Sequence, residues 1–177
     1  MEEVVDFEVV DKNGWNCVML ACNQGDLNRL KYLIERGGSL DVVDNYGCSC
    51  LQIACKGKSF DVVKYLIEEG MDVTHENKFS CTCLQMACFE KVNIDILEML
   101  LRAGASSDVN KKYSAGYTPF MYVCEYSGKA IIKLLLEAGT DWRLKDKSGK
   151  TGLYHAKKAN TKEVAVWLEE YINNLEV

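Results

Sequence analysis

The stretch D-N-Y-G-C-S-C-L-Q-I-A-C, residues 44–55, decides the reading of this chain, because the same twelve-residue pattern returns at a fixed interval on both sides of it. Upstream stands D-K-N-G-W-N-C-V-M-L-A-C from Asp11, and downstream N-K-F-S-C-T-C-L-Q-M-A-C from Asn77. Cys17, Cys50 and Cys83 are spaced by 33 residues, as are Cys22, Cys55 and Cys88. Two further copies read Y-S-A-G-Y-T-P-F-M-Y-V-C from Tyr113 and D-K-S-G-K-T-G-L-Y-H-A-K from Asp146, after the spacing has slipped by 3 residues. One extra residue falls near Val92 to Asn93 and two near Lys111 to Lys112, in connections that tolerate insertion. A fixed period of this length is the signature of a repeat architecture.

Each copy has a physical reading of its own. Asn16, Ser49, Thr82, Thr118 and Thr151 share one column, and each carries a side-chain oxygen that can cap a helix start. Gln52 and Gln85 follow three residues after Ser49 and Thr82, which predicts capping boxes, and Pro119 takes the first helical position, where a missing N–H costs nothing. A second helix per copy follows from the i, i+3, i+4 spacing of Leu30, Leu33 and Ile34, then Val63, Leu66 and Ile67, then Leu97, Leu100 and Leu101, then Ile132, Leu135 and Leu136. Gly37, Gly70, Gly104 and Gly139 are expected to close these helices in the left-handed conformation. A hairpin-like excursion then leads into the next copy. No single copy can bury its own apolar face, so stability must come from stacking.

The expected organisation is a half-hairpin lead-in over 1–10, then one domain over 11–177, with repeats at 11–43, 44–76, 77–112, 113–145 and 146–177. The last copy reads as a terminal cap that tolerates water. Lys157 stands in the column of Cys22, Cys55, Cys88 and Cys124, Glu169 in that of Ile34, Ile67, Leu101 and Leu136, and Ile172 in place of the closing glycine. By this reading little of a larger domain is missing.

The 33-residue period, the D-x-x-G opening, T-P-F-M at 118–121 and L-L-E-A-G-T-D at 135–141 together resemble ankyrin repeats over essentially Asp11 to Val177. The resemblance implies an all-α solenoid of five helix-turn-helix repeats with hairpin-like loops between them. Three copies carry Cys where the family has Pro, and none carries the usual His of the T-P-L-H box; Gln52 and Gln85 at that place retain the capacity to bond toward the cap hydroxyl. The family also implies a protein-binding surface formed by the hairpin tips and the first helices.

Composition narrows the function. The chain has 177 residues, 48% of them hydrophobic and 27% charged, an ordinary globular balance, and no apolar run of the roughly 18–20 residues a membrane helix needs. Glu2 and Glu3 stand where a secretory signal has positive charge, so the cytosol or nucleus is expected. A net charge of −5 argues against nucleic acid. Nine cysteines, an odd number, read as reduced thiols, and their columns as small buried slots. Cys17, Cys50 and Cys83 occupy first helical positions, where an exposed thiol gains reactivity. His75 and His155 lie at no usual ligand spacing from Cys48, Cys50, Cys81 or Cys83, so no metal and no cofactor are expected. With two histidines and no phosphate loop, no catalytic set is found and the chain reads as a non-enzyme.

Aromatic residues in the variable columns mark the candidate site. Trp15 and Tyr117 stand just after the opening glycine, Tyr46 just before it with Phe79 at the equivalent place, and Phe89 and Tyr126 at the ends of first helices. Such side chains are the usual anchors of protein interfaces. Trp142 and Trp167 fall in apolar columns and are expected in the core. From Thr140 to Lys162 there are seven Lys or Arg against two Asp, which reads as a solvated face with an acidic partner segment as the sharper alternative. The function expected is a monomeric protein-interaction module or scaffold whose concave face binds a partner protein. A stoichiometric inhibitor of an enzyme such as a kinase is the narrower alternative, and a thiol-based metal or redox protein the remote one.

Overall fold

A computed structural model describes residues 6–89, 93–159 and 162–175. The described residues form ten α-helices in pairs: α1 (Cys17–Gln24) and α2 (Leu27–Glu35), α3 (Cys50–Gly57) and α4 (Phe60–Glu68), α5 (Cys83–Cys88) and α6 (Ile94–Arg102), α7 (Pro119–Tyr126) and α8 (Lys129–Glu137), α9 (Gly152–Lys158) and α10 (Lys162–Leu175). Among the described residues no strand extends beyond a single antiparallel bridge, Val43 to Ser49.

First helices begin where the cap column places them. Asn16 Oδ1 accepts the Met19 N–H at 3.0 Å, Thr118 caps Met121 and Thr151 caps Tyr154. The Ser49–Gln52 capping box is complete. That of Thr82 is half made: Gln85 Oε1 accepts the Thr82 N–H at 2.9 Å, but the buried Thr82 hydroxyl has no partner among the described residues. Gln52 does more than complete its capping box. Its Oε1 accepts the Ser49 backbone N–H, while its Nε2 donates onward to the carbonyls of His75 at 3.0 Å and Cys81 at 2.6 Å, joining the second copy to the opening loop of the third.

The opening loops repeat one geometry. In each of the five, the first residue's N–H donates to the fifth residue's carbonyl, as in Asp11 to Trp15 and Asp44 to Cys48, and the fourth residue's N–H closes back on the first carbonyl. The side chain in the Asp column locks this turn: Asp11, Asp44, Asn77 and Asp146 each accept two backbone N–H groups, two and four residues on. The fourth position has positive φ throughout, taken by Gly14, Gly47, Gly116 and Gly149 but by Ser80 in the third copy, at φ +56°. That conformation is strained for a residue with a Cβ. Neighbouring tips are tied by rungs from Asn45 N–H to the Asn13 carbonyl, Lys78 to Tyr46, and Lys147 to Ala115.

The packing divides into two compact units, one ending at Ala87 and the other beginning at Cys88. In the first, α1 packs on α2 and α3, and α4 on α3 and α2; in the second, α7 packs on α8 and α9, and α10 on α9 and α8. Leu30, Leu33, Val63, Leu66, Leu97, Leu100, Ile132 and Leu135 are buried as the helical spacing requires. Ile34, Ile67, Leu101 and Leu136 lie at the edge of that face and are half-buried. Gly37, Gly70, Gly104 and Gly139 do close the second helices with φ between +82° and +110°. Without a glycine there, α10 runs on to Leu175, with Ile172 buried, and Lys157 and Glu169 pair on the surface at 2.8 Å. Trp142 and Trp167 are half-buried rather than core. Of the slippage points, Lys111 and Lys112 lie between a 3-10 turn at Ala105–Asp108 and the next opening loop, Asn93 caps α6, and Val92 lies outside the described residues.

Candidate functional site

In the first unit, the opening loops at 11–15, 44–48 and 77–81 stand beside the column four residues after each helix cap, which holds Ile53 and Met86. Tyr46 and Phe79 project from the loops with 50% and 55% of their surface exposed, their ring centroids 6.1 Å apart. Trp15 is half-buried, and its indole N–H donates to Asp44 Oδ2 at 2.9 Å. The three aromatics, with Asn13, Asp44, Cys48, Gln52, Ile53, Lys56, Asn77 and Met86, line a pocket of about 440 Å³.

In the second unit the aromatics gather instead into a ring cluster. Tyr122, in the same cap-plus-four column, is its centre: Phe89 lies 4.8 Å away by ring centroid, Tyr117 5.3 Å, Tyr113 5.5 Å and Tyr126 6.1 Å. Tyr126 is the exposed edge, at 60%, and its hydroxyl donates to Glu125 Oε1 at 3.1 Å. Phe89 and Tyr117 are half-buried within the cluster. His155, next in the column, is buried. Its Nε2 lies 2.9 Å from Asp146 Oδ2, so Nε2 carries the proton, and Nδ1 can accept from the Tyr117 hydroxyl at 3.2 Å. Burial pushes the Tyr117 phenol above its usual range, helped by the carboxylates of Glu125 and Asp146. Burial works the other way for Asp146, but the N–H of Lys150, the imidazole and the N–H of Ser148 outweigh it, and its carboxyl lies below the usual range. Every group in this relay is held by another, which makes it a fixed support for the ring face.

Ile53, Met86, Tyr122 and His155 share one column with Leu20, and sequence reasoning passed over it because only its last two members are conspicuous. The signal was present: an aromatic and an imidazole occupy positions that other copies fill with aliphatic residues.

The thiols are placed differently. All nine cysteines are free; eight are buried and Cys17 is half-buried. Cys50 and Cys83 sit at first helical positions yet are fully buried, so reactivity from the helix terminus has no access there. The Cys22 thiol is hydrogen-bonded with Cys50, which together with burial pushes its pKa up; burial does the same for Cys124 and pushes Cys81 up to about 12. These groups are held as neutral thiols at physiological pH. Among the described residues no three His, Cys, Asp or Glu side chains converge as a metal site would require. No helix among them is long and apolar enough to cross a membrane.

The family described as ankyrin repeats (3 copies) matches residues 1–77 and 84–176. The chain belongs to the ankyrin-repeat family. Among solved structures it is similar to a chain of the complex between a predatory endopeptidase from Bdellovibrio bacteriovorus and an immunity protein. That likeness has a TM-score of 0.81 and 29% identity, over 93% of this chain and 85% of the other. Ankyrin-repeat proteins use the loop tips and first helices as protein-binding surfaces, which is where Tyr46, Phe79 and Tyr126 are exposed in this one.

Proposed function

We propose that this ankyrin-repeat chain is a non-catalytic, monomeric protein-interaction module working in the cytosol or nucleus, and that it grips its partner with the opening-loop tips and the cap-plus-four column. The observation that carries the reading is the exposure of Tyr46, Phe79 and Tyr126 at the loop tips and at a first-helix end, where their rings have packing surface to offer. Nine free thiols support a reducing compartment.

The test recovers the natural partner and replaces Tyr46, Phe79 and Tyr126 singly by Ala, with Lys64, Glu68 and Lys133 on second helices as exposed controls. A true anchor loses at least about 2 kcal/mol of binding free energy while the melting temperature holds. Trp15 is examined as Trp15→Phe, since its indole also supports Asp44. Weakening by the controls and not by the rings would place the interface on the other side.

A second reading has its own support: the similar solved structure contains an endopeptidase in complex with an immunity protein. By that likeness this chain is a stoichiometric inhibitor, and a peptidase is a better-supported target class than a kinase. Titrating the recovered partner's activity with this chain separates the two readings, since an inhibitor abolishes turnover at one equivalent and a scaffold leaves it intact.

A further inference from the structure

The pocket in the first unit has both apolar and polar walls. Its apolar lining comes from the rings of Trp15, Tyr46 and Phe79 and the side chains of Ile53 and Met86. Its volume, about 440 Å³, falls within the roughly 300–1,000 Å³ range of small-molecule pockets, so there is room for a large side chain. The polar groups around it are engaged. Asp44 accepts three N–H donors, from Tyr46, Cys48 and the Trp15 indole. Asn77 accepts from Phe79 and Cys81 and donates to Cys48 Sγ. Gln52 makes the three hydrogen bonds described above. Lys56 is different: it is exposed at the last turn of α3 and has no hydrogen-bond or ion-pair partner among the described residues.

An apolar seat with a single unpaired ammonium at its rim selects one kind of occupant. A basic side chain is repelled by Lys56, and the one carboxylate present, Asp44, is buried and saturated with donors. A neutral apolar group leaves Lys56 unused. We propose that the pocket seats a large apolar side chain, aromatic by preference, of a partner segment that carries a carboxylate beside it, and that this carboxylate pairs with Lys56. The proposal rests on the reading that this face binds a protein partner. Lys56 also offsets the dipole at the end of α3, but that role is indifferent to the charge of a ligand.

The experiment uses the full chain and two probes, N-acetyl-phenylalanine, which has a carboxylate, and its neutral amide. Amide and indole N–H signals are followed by NMR, with the Trp15 indole assigned through Trp15→Phe. The carboxylate probe is expected to shift the Trp15 indole and the Tyr46 and Phe79 amides, and to bind about twofold to fivefold more tightly than the amide, as suits a surface ion pair. Lys56→Gln is expected to equalise the two and leave the amide's affinity unchanged. Equal binding by both probes to the unmodified chain, shifts confined to other residues, or no shift at the solubility limit overturns the proposal. A concentration-dependent dimer lost in Lys56→Gln would give the seat to a second copy and also overturn it. If the probes fail while Tyr46→Ala and Phe79→Ala still weaken the partner, the binding face stands and only the pocket falls. If the probes succeed and those substitutions do not change partner affinity, the occupant is a free aromatic acid, and the proposal falls together with that reading.

Discussion

Gln52 is fully buried and joins three backbone groups from two copies, so its replacement should be felt well beyond its own helix. Gln52→Leu keeps similar bulk and removes every hydrogen bond of the side chain. The Ser49 N–H loses its acceptor, the His75 carbonyl loses the amide that reaches it at 3.0 Å, and the Cys81 carbonyl loses the one at 2.6 Å and keeps only the Asn77 N–H. Each net hydrogen bond is worth about 1 kcal/mol and an unsatisfied buried group costs about 1–3 kcal/mol. Leucine recovers part of this through its apolar contacts, which leaves an expected loss of about 2–4 kcal/mol. For a chain of this length that is a fall of about 5–15 °C in melting temperature. Gln52→Glu sharpens the test. Its carboxylate still accepts from Ser49 but turns an oxygen toward two carbonyl oxygens, so its folded pKa is raised above the unfolded value of about 4.3. A carboxyl raised in the fold carries its full penalty above the folded pKa and loses it as pH falls below the unfolded one. The gap between Gln52→Glu and the parent chain should therefore close in acid, whereas that of Gln52→Leu should not. Urea unfolding at several pH values measures both. A loss under about 0.5 kcal/mol for Gln52→Leu, or a pH-independent gap for Gln52→Glu, would refute the bridging role.

Ser80→Gly should stabilise the chain by about 0.5–1 kcal/mol in the same assay, because Ser80 holds a left-handed turn that the other four copies give to glycine, and Gly47→Ser should do the reverse. Asp146→Asn removes a carboxylate whose pKa is depressed in the fold, so its deficit should be complete above about pH 4 and vanish as pH falls through the folded value, as followed by thermal melts across the acid range. A thiol reagent at pH 8 should modify Cys17 first in the native protein and reach the remaining cysteines only on adding denaturant; prompt reaction of Cys50 or Cys83 would contradict their burial.

Repeat period, helix caps, closing glycines and the second-helix faces were legible in the chain, because each depends on interactions within a few residues or on a spacing that every copy restates. Asn16, Ser49 and Gly70 act on their own turn, so their meaning travels with them. The columns of small cysteines were legible for the same reason: a slot repeated at the period of the module belongs to its packing. What Trp15, Tyr46, Phe79, Phe89, Tyr117 and Tyr126 do was not legible, since all six are aromatic residues at loop tips or helix ends. Tertiary structure separates them. Asp44 holds the Trp15 indole, Tyr122 gathers Phe89 and Tyr117 into a cluster, and Tyr46 and Phe79 stay exposed around a pocket with Ile53 and Met86. The contacts that decide between them run from one copy to the next, Trp15 to Asp44, Tyr46 to Phe79 and Phe89 to Tyr122, and a pattern read along one copy contains no information about which face of the next it will meet.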